Sequence, residues 1–431
     1  MKVHERLQPN WPALVVFGLL FSTSIIFSAQ HERPSISLVE TTRVAQSLAR
    51  SGEFADPFFI AKTGPTAHVA PVFPAMASLV IEWFGSVQGA HPVLYWTAAM
   101  ALAVQVALLP YLARALGVGW WAGLWASLLA LLANRRPVPQ WEGEYVALLM
   151  IILTWLVATR TSHGGSVRWG REVLIGLLFG LLILSYPIAV IVWMAFLCWD
   201  IWVARRSHAW ARTAVVMAIS VSVLTPWIVR NAYLFGEPVF VRDNLGIEMA
   251  VSFNPCAGVS LFENMLSGCF REWHPNRSSE QASLLVEQGE VEYNAGQMGQ
   301  ALDFIAEQPR HSANLVLRRT LLFWWPSATG DPIYELTAGP LRLQSWVVYL
   351  ATLLSFVGLA LTFIRQVPVA PLLLAWMLLL PTPYFFLQFS VRYRTPMLWV
   401  TFLLAGVTLH ALFRAVINQR RRPCAQSNQA V

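Results

Sequence analysis

The stretch from Val39 to Pro74 reads VETTRVAQSLARSGEFADPFFIAKTGPTAHVAPVFP, and it decides how the chain divides between membrane and water. It lies between two hydrophobic segments, at 11–29 and 68–85. Only 12% of the chain is charged, yet this stretch is rich in ionisable groups. Its ionisable side chains include Glu40, Glu53, Asp56, Lys62 and His68. Because such groups are costly to place beside a membrane, we expect the chemistry of the protein at this edge.

The composition is that of an integral membrane protein. Hydrophobic residues make up 56% of the 431 residues, more apolar surface than a soluble fold of this length can bury. The formal net charge of +7 is compatible with a nucleic-acid partner. The basic residues, however, cluster at the ends of apolar runs, as the positive-inside rule predicts. We therefore expect a membrane-embedded protein with no nucleic-acid partner.

The apolar runs predict an all-α bundle of about 10–11 membrane helices. The candidate spans are 11–29, 68–85, 92–113, 119–133, 144–160, 172–186, 188–203, 210–228, 343–364, 368–387 and 396–416. The first lacks a small-x-small cleavage site and should be retained as a signal anchor. Basic segments at 160–171, 205–212 and 420–422 indicate the cytoplasmic side.

This orientation predicts three parts. They are an N-terminal membrane module, 1–228, with a first outer loop at 30–67, a periplasmic loop at 229–341, and C-terminal membrane helices with a basic cytoplasmic tail at 342–431. Three candidate spans lie between residues 68 and 133. The segments before and after them are both expected on the outer side, so the number of membrane crossings between those segments must be even. One of them should therefore be short, re-entrant or interfacial.

The outer segments carry further local signals. Residues 37–51 have apolar side chains at approximate helical spacing, which predicts an amphipathic helix on the outer surface that ends at Gly52. A second helical stretch is expected over 278–306, capped by Ser278 or Ser279. Cys256 and Cys269 fall together in the large loop, where a periplasmic location would support a disulfide. Their spacing alone leaves that pairing open.

Several short motifs resemble those of one superfamily. They are Ser51-Gly52-Glu53-Phe54, Asp56-Pro57-Phe58, Gly64-Pro65-Thr66-Ala67, Pro71-x-x-Pro74, Pro226-Trp227-Ile228-Val229-Arg230-Asn231, Asn244-Leu245-Gly246-Ile247-Glu248, His274-Pro275, Gly289-Glu290-x-x-Tyr293 and Arg392-Tyr393-Arg394-x-Pro396. Together they resemble the multi-spanning GT-C glycosyltransferases, in particular bacterial relatives of protein O-mannosyltransferases (family 39) and of the lipid A aminoarabinose transferase. The resemblance touches most of the chain and is more specific for the superfamily than for any substrate.

The resemblance implies a GT-C-type bundle and an inverting sugar transfer. A sugar would leave a polyprenyl-phosphate carrier and join a lipid, glycan or protein acceptor at the outer face of a bacterial inner membrane, in the periplasm. Members of the superfamily use a carboxylate of the first outer loop as base or acceptor-orienting group. Glu40 occupies that position, although the family more often has Asp or an Asp-Glu pair, and this chain has Val39-Glu40.

The candidate site residues follow from that chemistry. A carboxylate takes the acceptor proton and cations neutralise the departing phosphate. The predicted catalytic residues are Glu40 and Asp56. The residues predicted to bind the donor phosphate are Lys62, His68, Arg135, Arg136, Arg392, Tyr393 and Arg394. The residues predicted to bind the acceptor are His274, Glu290 and Tyr293. Glu142 or Glu144 is a further carboxylate candidate, or simply a helix-start residue.

Other interpretations stay open at this stage. Asp56 also fits a turn residue before Pro57, and the loop carboxylates and histidines also fit solvated surface positions. No Cys/His spacing typical of zinc is present, so no cofactor is certain, although a divalent cation bridging carboxylate and phosphate is possible. The alternative functions are a polytopic lipid or solute transporter, and a non-catalytic or polymerase- or ligase-type component of surface glycan assembly.

Overall fold

The structure, a computed structural model, describes residues 39–133, 141–161, 167–204, 210–325 and 343–421. The first candidate span at 11–29, Arg135, Arg136 and the basic tail at 422 lie outside these residues. The described residues are almost entirely helical. The helices before residue 240 are α1 (Glu40–Ser51), α2 (Val72–Phe84), α3 (Val87–Ala115), α4 (Trp120–Ala133), α5 (Gly143–Thr161), α6 (Trp169–Ser185), α7 (Ala189–Ala204) and α8 (Trp210–Phe235).

The second half of the chain holds the extramembrane helices and the last membrane helices. The former are α9 (Leu245–Ser252), α10 (Leu261–Ser267), α11 (Cys269–Trp273), α12 (Ser279–Gln288), α13 (Glu290–Glu307) and α14 (Pro309–Trp324). The latter are α15 (Leu343–Ile364), α16 (Ala370–Leu374, continued by a π-helical turn Ala375–Leu379) and α17 (Leu398–Arg421). Two 3₁₀ segments, Thr382–Phe385 and Val391–Met397, connect α16 to α17.

Among the described residues, five helices are long and apolar enough to cross a bilayer. They are Val87–Ala115, Gly143–Arg160, Trp210–Phe235, Ser345–Ile364 and Val391–Gln419. The apolar helices Val72–Phe84, Trp120–Ala133, Ala189–Val203 and Ala370–Phe385 are shorter. With its 13 residues, α2 rises only about 20 Å, less than the hydrocarbon thickness of about 30 Å. With 14 residues, α4 is about as short, so the length of either α2 or α4 fits the short helix that the count of spans requires.

The predicted amphipathic helix is confirmed as α1. It ends at Gly52, whose φ of 73° is left-handed and favours glycine. Its apolar face packs on α2, in a buried cluster that includes Ala45 of α1, Phe73 and Ala77 of α2, and Val87 at the start of α3. This packing fixes α1 on α2.

The membrane helices approach one another closely at small residues. A Cβ on Gly358 of α15 would lie 1.9 Å from the carbonyl oxygen of Leu404 in α17. A Cβ on Gly123 of α4 would lie 2.3 Å from the Cα of Pro110 in α3. Helices in lipid associate largely by such packing, because lipid supplies no hydrophobic drive between them.

A buried ion network joins four helices at one end of the bundle. Arg160 of α5 contacts Glu172 of α6 at 2.8 Å and Asp200 of α7 at 3.0 Å. The hydroxyl of Thr213, in α8, donates to Asp200 at 2.5 Å. Removing one partner would leave a buried charge uncompensated, so the network fixes this end of α5–α8.

The opposite end carries residues 52–71 and 236–325, and we call it the loop face. The predicted helical stretch at 278–306 forms two helices, α12 and α13, because Gly289 adopts a φ of 84° between them. Ser278 caps α12 by accepting the N–H of Gln281 at 3.3 Å, as predicted. Cys256 and Cys269 form a disulfide with 5.7 Å between their Cα atoms. The possibility left open by their spacing is therefore realised in the structure.

Candidate active site

Glu40 lies at the start of α1 on the loop face, held by a residue far along the chain. Its Oε1 accepts a hydrogen bond of 2.8 Å from Nδ2 of Asn276. Asn276 is itself fixed, because its Oδ1 accepts the N–H of Phe59 at 2.8 Å. The backbone N–H of Asn276 donates to Nδ1 of His274 at 3.0 Å. A single asparagine thus connects the carboxylate, the first outer loop and an imidazole.

His274 is the central imidazole of the loop face. It is only 3% exposed and stacks on Phe270 with ring centroids 4.5 Å apart. Burial lowers the pKa of His274; the cations Arg392 and Arg277 lower it further, while Glu40 and Glu248 oppose them. The ring is therefore neutral near pH 7. Since Nδ1 accepts a hydrogen bond, the neutral ring carries its proton on Nε2.

His68 lies beside this imidazole. Its ring packs edge-on against Phe58 with centroids 4.7 Å apart, and Phe58 also faces His274 at 6.2 Å. The side chain of His68 is 2% exposed. Burial holds the pKa of His68 well below its ordinary value, and Arg242 and His274 lower it further. Both histidines are thus neutral hydrogen-bonding groups rather than cations.

Arginines from two distant segments complete the cluster. Nε of Arg242 donates to the carbonyl oxygen of His68 at 2.5 Å. The guanidinium of Arg392 lies 3.9 Å above the indole of Trp141, at the start of α5. Glu142 is a half-buried neighbour of both arginines. Burial raises the pKa of its carboxyl group, and both arginines oppose that shift. The two cations therefore act on the same small volume of the loop face.

Tyrosine side chains pack next to Arg392. Tyr393 stacks on Tyr384 with centroids 4.2 Å apart, and the Tyr384 hydroxyl hydrogen-bonds that of Tyr186 at 2.5 Å. Glu248, Arg392 and Arg242 are the charged neighbours of Tyr393. Glu248, in α9, is thus a charged neighbour of both His274 and Tyr393.

The loop that carries His68 is clamped by the large outer segment. The backbone N–H of Asp243 donates to the carbonyl oxygen of Ala67 at 2.8 Å. Arg230, at the end of α8, donates to the carbonyl oxygens of Thr66 at 2.8 Å and Phe54 at 3.1 Å. Its guanidinium also lies over the Trp227 ring at 4.6 Å. These contacts fix the turn beside the cluster.

Several predicted site residues lie in other surroundings. Asp56 has a φ of 56°, and its Oδ1 accepts the N–H groups of Thr63 and Gly64, both at 2.9 Å. This is the turn role that the sequence left open. Lys62, in the same turn, is exposed. Arg394 is 2% exposed and donates to the carbonyl oxygen of Trp324 at 2.6 Å and to the Thr352 hydroxyl, so its guanidinium ties α14 to α15.

The predicted acceptor residues of α13 also face inward. Glu290 is 7% exposed and accepts from the Thr66 hydroxyl and from the N–H of Ala67, the latter at 2.7 Å. The hydroxyl of Tyr293 donates to Gln281 at 2.6 Å. Burial raises the pKa of both side chains, to about 7 for Glu290. The structure thus brings Glu40, His68, His274, Arg392 and Tyr393 together, but not Asp56, Lys62, Arg394, Glu290 or Tyr293.

Three members of the cluster were not among the predicted site residues: Arg242, Glu248 and Asn276. Glu248 closes one of the motifs that carried the resemblance, and Asn276 follows His274-Pro275, so both had a local signal. Arg242 had none, because its role depends on the carbonyl of His68. Across the described residues, no three His, Cys, Asp or Glu side chains are arranged to hold a metal ion, and the divalent cation stays a prediction.

Comparison with solved structures supports the predicted fold. The chain is similar to the oligosaccharyltransferase of Archaeoglobus fulgidus, crystallised with a tethered acceptor peptide containing the NVT sequon, with a TM-score of 0.55 and 14% identity. The match covers 96% of this chain and 51% of that one, so the chain spans about half the length of the archaeal enzyme. The chain thus shares the fold of the matched part of that enzyme, a multi-spanning helical bundle of the kind that its motifs predicted.

A second solved structure matches the chain with a lower TM-score. ArnT from Cupriavidus metallidurans, bound to undecaprenyl phosphate, gives a TM-score of 0.38 and 15% identity over 94% of this chain and 77% of that one. No family model matches the sequence, and no curated protein sequence matches it significantly. The fold is therefore defined, while substrate and reaction depend on the site.

Proposed function

We propose that the protein is a membrane glycosyltransferase that moves a sugar from a polyprenyl-phosphate carrier to an acceptor at the loop face. The observation that carries this proposal is the convergence of the Glu40 carboxylate with Arg242 and Arg392 around the neighbouring neutral imidazoles of His68 and His274. These groups come from distant parts of the chain, and the fold brings them together. The archaeal oligosaccharyltransferase, part of which has a similar fold, was crystallised with an acceptor peptide tethered by a disulfide bond.

In this proposal Glu40 is the general base. Asn276 occupies its Oε1, and we assign the acceptor proton to Oε2. The acceptor oxygen or nitrogen then attacks the anomeric carbon as the bond from that carbon to the phosphate oxygen breaks. One displacement inverts the anomeric configuration, and the proton removed from the acceptor stays on Glu40.

Arg242 and Arg392 receive the leaving phosphate. The departing polyprenyl phosphate gains negative charge, which a guanidinium pair stabilises more strongly away from water. Arginine suits this role because its fork of N–H donors matches phosphate geometry. Arg392 is held by the Trp141 ring and Arg242 by the His68 carbonyl, so both are positioned before the donor binds.

His274 contributes a hydrogen-bond donor beside Glu40. Its Nδ1 is occupied by the Asn276 N–H, so the neutral ring offers Nε2–H. A neutral donor can orient an acceptor hydroxyl or amine without adding a second cation. We place the acceptor-binding part of the site at Glu40 and His274.

Reconstitution tests this function against the transporter alternative. The purified protein in proteoliposomes would receive a panel of polyprenyl-phosphate-linked hexoses and pentoses with candidate lipid, glycan and peptide acceptors. We expect released polyprenyl phosphate and a product of inverted anomeric configuration, measured by mass spectrometry and NMR. Parallel reactions with a chelator show whether a divalent cation contributes. Movement of labelled lipid across the bilayer with no donor consumed would contradict the enzyme proposal.

A further inference from the structure

The segment 386–390 leads directly into Arg392 and Tyr393, yet the large outer segment holds it. The N–H of Phe389 donates to the carbonyl oxygen of Val259 at 2.9 Å, and the N–H of Leu261 donates to that of Phe389 at 3.0 Å. These bonds form a parallel bridge between Ser260 and Phe389. The approach to the candidate phosphate site is therefore paired with a loop that lies more than a hundred residues earlier in the chain.

Side chains extend this pairing on both sides. Nδ2 of Asn264 donates to Oε1 of Gln388 at 2.8 Å, and both residues are buried. The backbone N–H of Gln388 donates to the hydroxyl of Ser252 at 2.8 Å. Each buried polar group here has a specific partner, and losing one leaves the other unsatisfied.

The pairing loop is closed by the disulfide. Val259, Ser260, Leu261 and Asn264 all lie between Cys256 and Cys269, whose bond joins positions 13 residues apart. Closing a loop restricts the conformations that it can adopt. Cys256 is exposed, whereas Cys269 is 2% exposed.

Arg319 of α14 binds the backbone at the start of this loop. It is fully buried, and its guanidinium donates to three backbone carbonyl oxygens, of Ser252 at 2.6 Å, Gly258 at 2.9 Å and Phe386 at 3.0 Å. Burial lowers its pKa to about 9, so it remains charged near pH 7. A buried charge is costly unless it is hydrogen-bonded, and these carbonyls accept hydrogen bonds from both terminal nitrogens of the guanidinium. One side chain therefore joins the segment 386–390 to Ser252 and Gly258, at the N-terminal end of its partner loop.

We propose that Arg319 and the disulfide-closed loop 256–269, together the clamp, act as a positioning device that sets Arg392 and Tyr393 for binding of the donor phosphate. The clamp touches no reacting atom in this proposal. It acts through the backbone at 386–390, which continues within two residues into Arg392. Its effect on phosphate binding and catalysis rests on the proposed function, but its effect on local structure does not.

Hydrogen exchange and ligand binding test the clamp. Exchange would be followed by mass spectrometry in the oxidised protein, in the protein reduced by dithiothreitol, in the C256S/C269S double variant and in Arg319→Met. Arg318→Met is the matched control, because Arg318 is the adjacent arginine and is exposed. We expect faster exchange over 257–264 and 386–393 in the reduced protein and both test variants, with peptides of α12 and α13 and the Arg318 variant unchanged.

Binding of a short-chain polyprenyl phosphate is the functional readout. We expect its Kd to rise about tenfold when the clamp is opened, the loss that accompanies one weakened charge-assisted hydrogen bond. In turnover, the KM for the donor should rise by a similar factor while kcat changes less. If Arg319→Met does not fold, reduction of the folded wild-type protein provides the same comparison.

Two results would overturn the proposal. Unchanged exchange at 386–393 after reduction and in the folded variants would show that the clamp does not hold this segment. Faster exchange with an unchanged Kd would show that it holds the segment without positioning the phosphate site. Phosphate binding that responds to the clamp with no turnover by any form would instead contradict the proposed function and support the clamp.

Discussion

The Glu290→Gln substitution should change how stability depends on pH. Glu290 accepts hydrogen bonds from the Thr66 hydroxyl and the Ala67 N–H beside the candidate site. Burial raises its pKa from 4.5 to about 7, although those two hydrogen bonds favour the ionised form. The folded protein therefore retains the proton over a pH range in which the unfolded chain has released it.

The sign and size of the effect follow from proton linkage. As pH rises from 4.5 towards 7, the unfolded state loses this proton first, so the free energy of unfolding falls. The loss is at most about 1.4 kcal/mol per pH unit and about 3 kcal/mol in total, and it levels off above pH 7. Glutamine does not titrate, so the variant lacks this slope.

The measurement compares Tm between pH 4 and pH 9 for wild type, Glu290→Gln and the control Glu292→Gln, an exposed residue of the same helix. Asp243 also has a raised pKa, about 6, caused by burial and then by Glu237. Asp243 raises the pKa of Glu290 in turn, so the difference between the wild-type and Glu290→Gln curves reports Glu290 together with its coupling to Asp243. We expect wild type and control to lose several degrees relative to Glu290→Gln between pH 4.5 and 7. Parallel curves, or a wild type that gains stability with rising pH, would refute a buried protonated Glu290.

Three further predictions concern the cluster and its support. Arg392→Ala should raise the donor KM about 10- to 100-fold through loss of charge-assisted bonds to phosphate, and an unchanged KM in steady-state assays would count against it. Asn276→Ala should lower kcat about tenfold, because Glu40 loses the donor that holds Oε1; kinetics equal to wild type would show that this contact is dispensable. Gly246→Ala should cost about 1–3 kcal/mol and lower Tm by several degrees, because its Cβ would lie 1.9 Å from the carbonyl oxygen of Asn294; an unchanged Tm would contradict this tight α9–α13 contact.

Much of the membrane architecture could be predicted from the sequence, because the bilayer imposes length and hydropathy on each helix. The amphipathic helix, its end at Gly52 and the cap at Ser278 were local signals and are confirmed. The break at Gly289 was missed, since a glycine is tolerated inside a helix as well as at its end.

The site could be predicted only in part, because only some of its contacts join residues that are close in the sequence. Glu40 and Arg392 stood out as charged residues beside membrane segments. Asp56 and Arg394 stood out for the same reason, but their partners, the Thr63 N–H and the Trp324 carbonyl, emerge only in the folded chain. Arg242 could not be selected, because its position is defined by a backbone carbonyl in another segment.

The central claim is that Glu40 is the base of a sugar transfer, and one comparison tests it most directly. Consumption of a polyprenyl-phosphate-linked sugar would be measured for wild type, Glu40→Gln and Glu53→Gln, an exposed carboxylate of the same stretch. We predict that kcat falls about 10²- to 10⁴-fold in Glu40→Gln, with the donor KM little changed and the control at wild-type rate. Equal donor consumption by Glu40→Gln and wild type would contradict the claim.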